Sequence, residues 1–207
     1  MILSGVDVEA FDEKKEIKLP TRKDLRIPLD AVVIGMVGRL CRQKAPDVFL
    51  QAAKRIKKKV DNAFFVIVGN GPMENEARKY AEENDLTDCL LITGWVTNPM
   101  DYVRQFDVSV LLSRWEGFGL VIPESMMAGK PVVASKVDVI PELIRDHENG
   151  LLVSTDDPDE ASRAILKLMK DEKLRGRLVE NGLKDAHDRF NARRMAKEHE
   201  ILLEELV

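Results

Sequence analysis

Glu116 and Glu124 stand at the two ends of Glu116-Gly117-Phe118-Gly119-Leu120-Val121-Ile122-Pro123-Glu124. The spacing alone says little, because Glu74/Glu82 and Glu172/Glu180 repeat it on charged stretches that read as solvated helix faces. Context separates the first pair. It follows the apolar run 108–112, spans a glycine-rich turn and ends inside a helix start, where unpaired backbone N–H groups and the helix dipole favour phosphate. A carboxylate just before such a loop can hold sugar hydroxyls, and one about two turns further on can reach a ribose. A second constellation, Val37-Gly38-Arg39-Leu40-Cys41-Arg42-Gln43-Lys44, sets three cations after an apolar run. Its glycine admits close backbone approach, so the loop suits an anion; solvated charge is the plainer reading. A nucleoside-triphosphate cradle is excluded, since Lys44 is followed by Ala45 and no paired glycine precedes it. Gly69-Asn70-Gly71-Pro72-Met73-Glu74 begins like a dinucleotide fingerprint but puts Glu74 where the third glycine belongs. It is either a ligand-facing loop or a simple strand-to-helix turn with Pro72 near the helix start.

Such loops need elements to aim them. Runs rich in Val and Ile recur at residues 32–37, 64–68, 90–92, 108–112, 131–134 and 151–153, and they read as buried strands. Between them lie helical patterns: Phe49, Ala52, Ile56 and Val60 share one face, with others at 74–83, 100–105, 119–128 and 158–170. Two more, 172–189 and 192–206, follow without another strand. Strands apolar throughout and alternating with helices predict an α/β fold, a Rossmann-like doubly wound parallel sheet of about six strands. In such a sheet ligands sit beyond the carboxyl ends of the strands, which is where these three loops and a fourth, at residues 94–98, fall. Residues 1–30 read as a linker and entry segment with order beginning after Leu29, 31–190 as the domain, and 191–207 as a terminal helix.

Composition narrows the function classes. The 207 residues are 44% hydrophobic and 33% charged, with 32 Lys plus Arg against 36 Asp plus Glu, a net charge of −4. That balance argues against nucleic acid as a partner. No apolar stretch approaches the ~20 residues of a membrane span, and the start lacks the long apolar run of a signal peptide. Cys41 and Cys89 stand far apart with no C-x-x-C pairing, so a cytoplasmic location is expected. His147, His187 and His199 show no metal spacing, and no G-x-S-x-G elbow occurs. Trp95 and Trp115 either border the pocket or pack under loops. Lys54, Lys57, Lys58 and Lys59 form a solvated face or, if the protein works at the inner face of a membrane, a contact for acidic head groups.

Taken in order, the motifs resemble those of retaining glycosyltransferases of family 4, specifically the C-terminal, donor-binding half of a glycosyltransferase-B fold. The markers are Ser4-Gly5-Val6-Asp7 with Phe11, Gly38-Arg39-Leu40 with Gln43-Lys44, Gly69-Asn70-Gly71-Pro72, Gly94-Trp95-Val96, residues 116–124, Ala128-Gly129-Lys130-Pro131-Val132, Pro141-Glu142 and Asn149-Gly150-Leu151-Leu152-Val153. The resemblance implies a nucleotide-diphospho-sugar donor, with Arg39 and Lys44 on the diphosphate, Glu116 on the sugar and Glu124 on the ribose. It further implies backbone contacts from Phe118, Gly119, Leu120 and Val121 to the sugar and β-phosphate. Val96 would lie beside the base, and Gly38 and Gly69 would line the donor site. No metal or other cofactor is expected, because fixed cations can stabilise the departing diphosphate. The sugar, of hexose type, would pass to a glycan or lipid-linked acceptor held by an N-terminal domain preceding Met1. Three departures stand out: Ala45-Pro46 in place of a glycine after Lys44, Lys136-Val137-Asp138-Val139 in place of paired glycines, and Ser4 where asparagine is frequent. Met195, Leu202 and Leu206 would form an uncovered stripe suited to self-association. The competing readings are a nucleotide-sugar epimerase-like domain and a non-catalytic nucleotide-binding module.

Overall fold

Alternate residues of each strand enter different cores, which is why the strands are apolar along their whole length. The computed structural model describes residues 2–8 and 20–205. Its six strands are β1 (Val32–Val37), β2 (Ala63–Val68), β3 (Leu90–Ile92), β4 (Val108–Leu111), β5 (Val132–Ser135) and β6 (Leu151–Val153). They form one sheet in the order β3-β2-β1-β4-β5-β6 with every pairing parallel. On one face Ile34, Met36, Phe65, Ile67, Val108, Val110 and Val133 join a core closed by helices α1 (Pro46–Lys57), α2 (Glu74–Glu83) and α6 (Pro158–Lys170). On the other, Leu111, Val132 and Ala134 pack against α4 (Val121–Met127) and α5 (Ile140–Leu143). Val33, Phe64, Val66 and Val68 cover the remaining area with Val103 from α3 (Met100–Val103) and Phe106. The sheet is therefore doubly wound, and its strand order reverses between β1 and β4. Phe49 of α1 meets Phe65 of β2 edge-on, with ring centres 6.2 Å apart, an arrangement favoured by the ring quadrupoles.

Register carries these strands to the site. Val32 pairs with Ala63 and Val37 with Val68, so β1 and β2 end level and deliver Gly38 and Gly69 side by side. Gly35 is required in mid-strand because a Cβ there would collide with the Phe106 ring.

Several boundaries move from the sequence reading. β5 starts one residue late because Pro131 has no N–H for the ladder; it lends only its carbonyl, to the Ser109 N–H at 2.9 Å. The helices expected over 100–105 and 119–128 shrink to α3 and α4, while α5 and 3₁₀ turns at Arg42–Lys44 and Thr87–Cys89 are too short to leave a periodic signal. Order also begins before Leu29. Leu25 and Ile27 are buried with Val33 and Phe106, and the Arg22 guanidinium donates to the carbonyls of Leu29, Ala31 and Gln105. Val6 joins the far end of the chain by bridging Asn191, at the start of α8 (Ala192–Glu204), which follows α7 (Glu172–Asp188). Phe11 and Leu206 lie outside the described residues. Among those described, no helix is long and apolar enough to cross a membrane.

Candidate donor site at the carboxyl ends of the strands

The two leading loops interlock through their backbones. Gly38 N–H donates to the Val68 carbonyl at 3.0 Å, Leu40 N–H to Asn70 at 2.9 Å, and Met73 N–H returns to Leu40 at 3.0 Å. Gly69, at φ +137°, has no room for a Cβ, which would strike the Gly38 carbonyl oxygen. The strand-to-helix turn and the ligand-facing loop are thus not exclusive: the glycines are needed for close passage of two chains, and that passage fixes the first loop. Gly69 also bridges Gly94, which brings in the 94–98 loop with a half-buried Val96 and an exposed Trp95.

Lys44 and Glu116 meet at the centre. The Lys44 ammonium forms a salt bridge with the Glu116 carboxylate, both side chains being largely buried, at 18% and 8% exposure. Gly38 lies beside the lysine stem, 3.4 Å separating an added Cβ from Lys44 Cγ. Ser113 Oγ donates to the same Glu116 oxygen at 3.1 Å, and the Glu116 backbone N–H donates to Asp138 Oδ2 at 2.7 Å. Asp138 adopts φ +42°, a conformation open to glycine and tolerated by Asp, and it adds a carboxylate where the sequence departs from paired glycines. Arg39 is exposed, and among the described residues it has no ion-pair partner; the fold brings it to the same loop but not into contact with Glu116.

Helix α4 supplies the remaining groups. Gly119, at φ +83°, is walled by Ile140, Leu111 and the Glu116 stem, so any side chain there would crowd the glutamate. Phe118 packs on the second core, while Leu120 is exposed and Val121 half-buried. Glu124 sits half-buried in the helix, and among the described residues its carboxylate has no hydrogen-bond partner. Burial pushes its carboxyl above the ordinary glutamate range. Ser125, the next residue, hydrogen-bonds Ser109 of β4 at 2.7 Å and pins the helix to the sheet from inside.

The sequence reading did not single out Arg114 or Asp138, although both flank motifs it used. Their contacts cross to loops distant in sequence, so no local pattern announces them. Among the described residues no group of three His, Cys, Asp or Glu side chains could hold a metal ion. A cleft of about 380 Å³ lies at the opposite, amino end of β1 and β4, between Val32, Asp107, Val108 and Arg175. The site itself is an open face of interlocked loops, with fixed charges converging where a ligand would lie across the switch point.

Comparison with known proteins defines the family and the fold. The family model described as glycosyl transferases group 1 matches residues 18–185, and the chain belongs to that family. It is 33% identical over 180 residues to the UDP-Gal:alpha-D-GlcNAc-diphosphoundecaprenol alpha-1,3-galactosyltransferase of Escherichia coli, covering 84% of this chain and 46% of that one. It is also 34% identical over 201 residues to a D-inositol 3-phosphate glycosyltransferase of Corynebacterium kroppenstedtii, covering 92% and 44%. The crystal structure of the C-terminal domain of the group 1 glycosyl transferase LpcC from Francisella tularensis superposes with a TM-score of 0.78 at 27% identity, covering 90% of this chain and 99% of that one. The chain therefore has the C-terminal-domain fold of these transferases, and it spans about half the length of the curated relatives it matches.

Proposed function

We propose that this chain is the donor-binding part of a retaining glycosyltransferase that moves a hexose-type sugar from a nucleotide-diphospho-sugar to a glycan or lipid-linked acceptor. The observation that carries this reading is the Lys44–Glu116 contact at the topological switch point. Lys44, with Arg39 beside it, would receive the diphosphate, and Glu116 would hold the sugar. In the unliganded chain the two neutralise each other; a bound donor would draw Lys44 toward phosphate and leave Glu116 free to accept from hydroxyls. Glu124, partly desolvated and unpartnered, would take the ribose hydroxyls, and the 118–121 backbone would face the sugar and β-phosphate. Breaking the sugar–phosphate bond leaves an anionic nucleoside diphosphate, and preorganised cations stabilise that charge as it develops. The acceptor would enter from the other half of the enzyme. UDP-Gal is the donor of the Escherichia coli relative, so a uridine nucleotide is the first probe.

Titration calorimetry with UDP, GDP and ADP tests the reading in wild type, Lys44→Ala and Glu124→Ala. One nucleoside diphosphate is expected to bind, and each substitution to weaken it about tenfold or more, the value of one charged hydrogen bond. Binding indifferent to both substitutions would overturn the assignment, as would no binding either by this chain or by one joined to an acceptor half.

A further inference from the structure

We infer that Arg114 is the positioning residue of this site: its guanidinium fastens the Lys44 loop to the Glu116 loop, so that cation and carboxylate face one donor. This rests on the donor-site reading above. Arg114 sits two residues before Glu116 yet points to three other places in the chain. Its Nε donates to Asp156 at 2.8 Å, in the loop after β6. Its Nη1 donates to the Arg42 carbonyl at 2.8 Å, inside the 3₁₀ turn that ends in Lys44. Nη1 and Nη2 reach the two oxygens of Asp47 at 3.1 and 2.6 Å, in the first turn of α1. The backbone reinforces the seam, since Arg114 N–H donates to the Gln43 carbonyl at 2.7 Å and the Gln43 amide donates to the Trp115 carbonyl at 3.1 Å.

Two carboxylates face this one guanidinium, so its charge is consumed within the protein and is not offered to a ligand. The Asp47 bond, seconded by Asp156, holds its pKa above the ordinary arginine value, as a permanent tie should. What the loops need from residue 114 is therefore shape: a planar fork with donors in several fixed directions, which lysine lacks. Without it, the Arg42–Lys44 turn is left with the Gln43 contacts to the 114–115 backbone and the Lys44–Glu116 salt bridge, while the sheet keeps every strand pairing.

The test compares wild type, Arg114→Lys and Arg114→Ala by amide hydrogen exchange and by nucleotide titration. Exchange over residues 41–48 and 113–117 is expected to accelerate about tenfold or more in both variants, with β1, β2 and β4 unchanged, because local opening leaves the global unfolding barrier intact. Affinity for the nucleoside diphosphate is expected to fall about tenfold, a change of about 1.4 kcal/mol. Affinity for the matching monophosphate, which lacks the second phosphate proposed to sit on Lys44, should hold. Wild-type protection in Arg114→Lys would overturn the proposal, as would exchange accelerated evenly across the sheet or equal losses for the two nucleotides. If Lys44→Ala leaves diphosphate binding intact, the donor reading fails instead, and the exchange measurement still decides whether Arg114 anchors the loop.

Discussion

A carboxylate that is half-buried without a protein partner is a standing cost to the fold, and among the described residues Glu124 is such a group. Its pKa is raised by burial, so the folded chain holds the proton more tightly than the unfolded one. The associated stability is present below the unfolded value, ordinarily about 4.3, and is lost as pH rises through the folded value. At neutral pH the ionised form therefore destabilises the fold. Glu124→Gln is expected to raise the melting temperature at pH 7 and to flatten its decline above the ordinary glutamate range, while weakening nucleoside diphosphate binding about tenfold or more through the lost charged hydrogen bond. Thermal melts across that range, paired with calorimetry, check both signs; a Gln variant less stable than wild type at neutral pH contradicts the argument. Lys44 and Glu116 were readable as residue types in loops after apolar runs, and Glu124 as one inside the helix start that follows. The partnership of Glu116 with Asp138 was not, because it joins positions whose proximity depends on β4 and β5 being neighbours.

At the scale of elements, the site is aimed by strands whose ends are level and by one short helix. All six strands were legible, since each is a dense apolar run. The seven-residue α4 was legible only as a longer helix, because its Gly119 approach and Ala128 exit look helical in pattern but not in backbone. To the apolar packing of Ile122 and Met126, α4 adds one polar tie: the Ser109–Ser125 hydrogen bond, with both residues fully buried. A serine in the middle of an apolar strand reads as a flaw until its partner 16 positions away is known. Ser125→Ala should cost about 1–3 kcal/mol, since it strands the Ser109 hydroxyl away from water, whereas replacing both hydroxyls should recover most of that loss. Denaturant titration of the two single variants and the double variant measures this directly. A double variant as unstable as the sum of the singles would show that the bond is not what fixes α4.

Across the whole molecule, the segment around Val6 and the start of the last helix are stitched together away from the candidate site loops. Val6 N–H donates to the Phe190 carbonyl at 2.7 Å and Ala192 N–H to the Val6 carbonyl at 3.0 Å. Val8, Ala186 and Phe190 are buried in the same core as Ile122 and Met126 of α4, so the stitch touches the back of the site. Beyond that stitch, α8 buries no residue, although Arg194 reaches the Leu3 carbonyl at 2.9 Å. Packing rather than intrinsic propensity stabilises most helices, so α8 contributes little to this unit. Removing residues 193–207 while keeping Asn191 and Ala192 is expected to lower the melting temperature by only about 2–4 °C, the equivalent of roughly 1 kcal/mol in a domain of this size. Nucleoside diphosphate affinity should be unchanged, because Lys44, Glu116 and Glu124 keep every described contact. Loss of affinity on truncation would instead show that α8 reaches the site through Phe190 and α4, and the terminal helix would then belong to the binding machinery rather than to its frame.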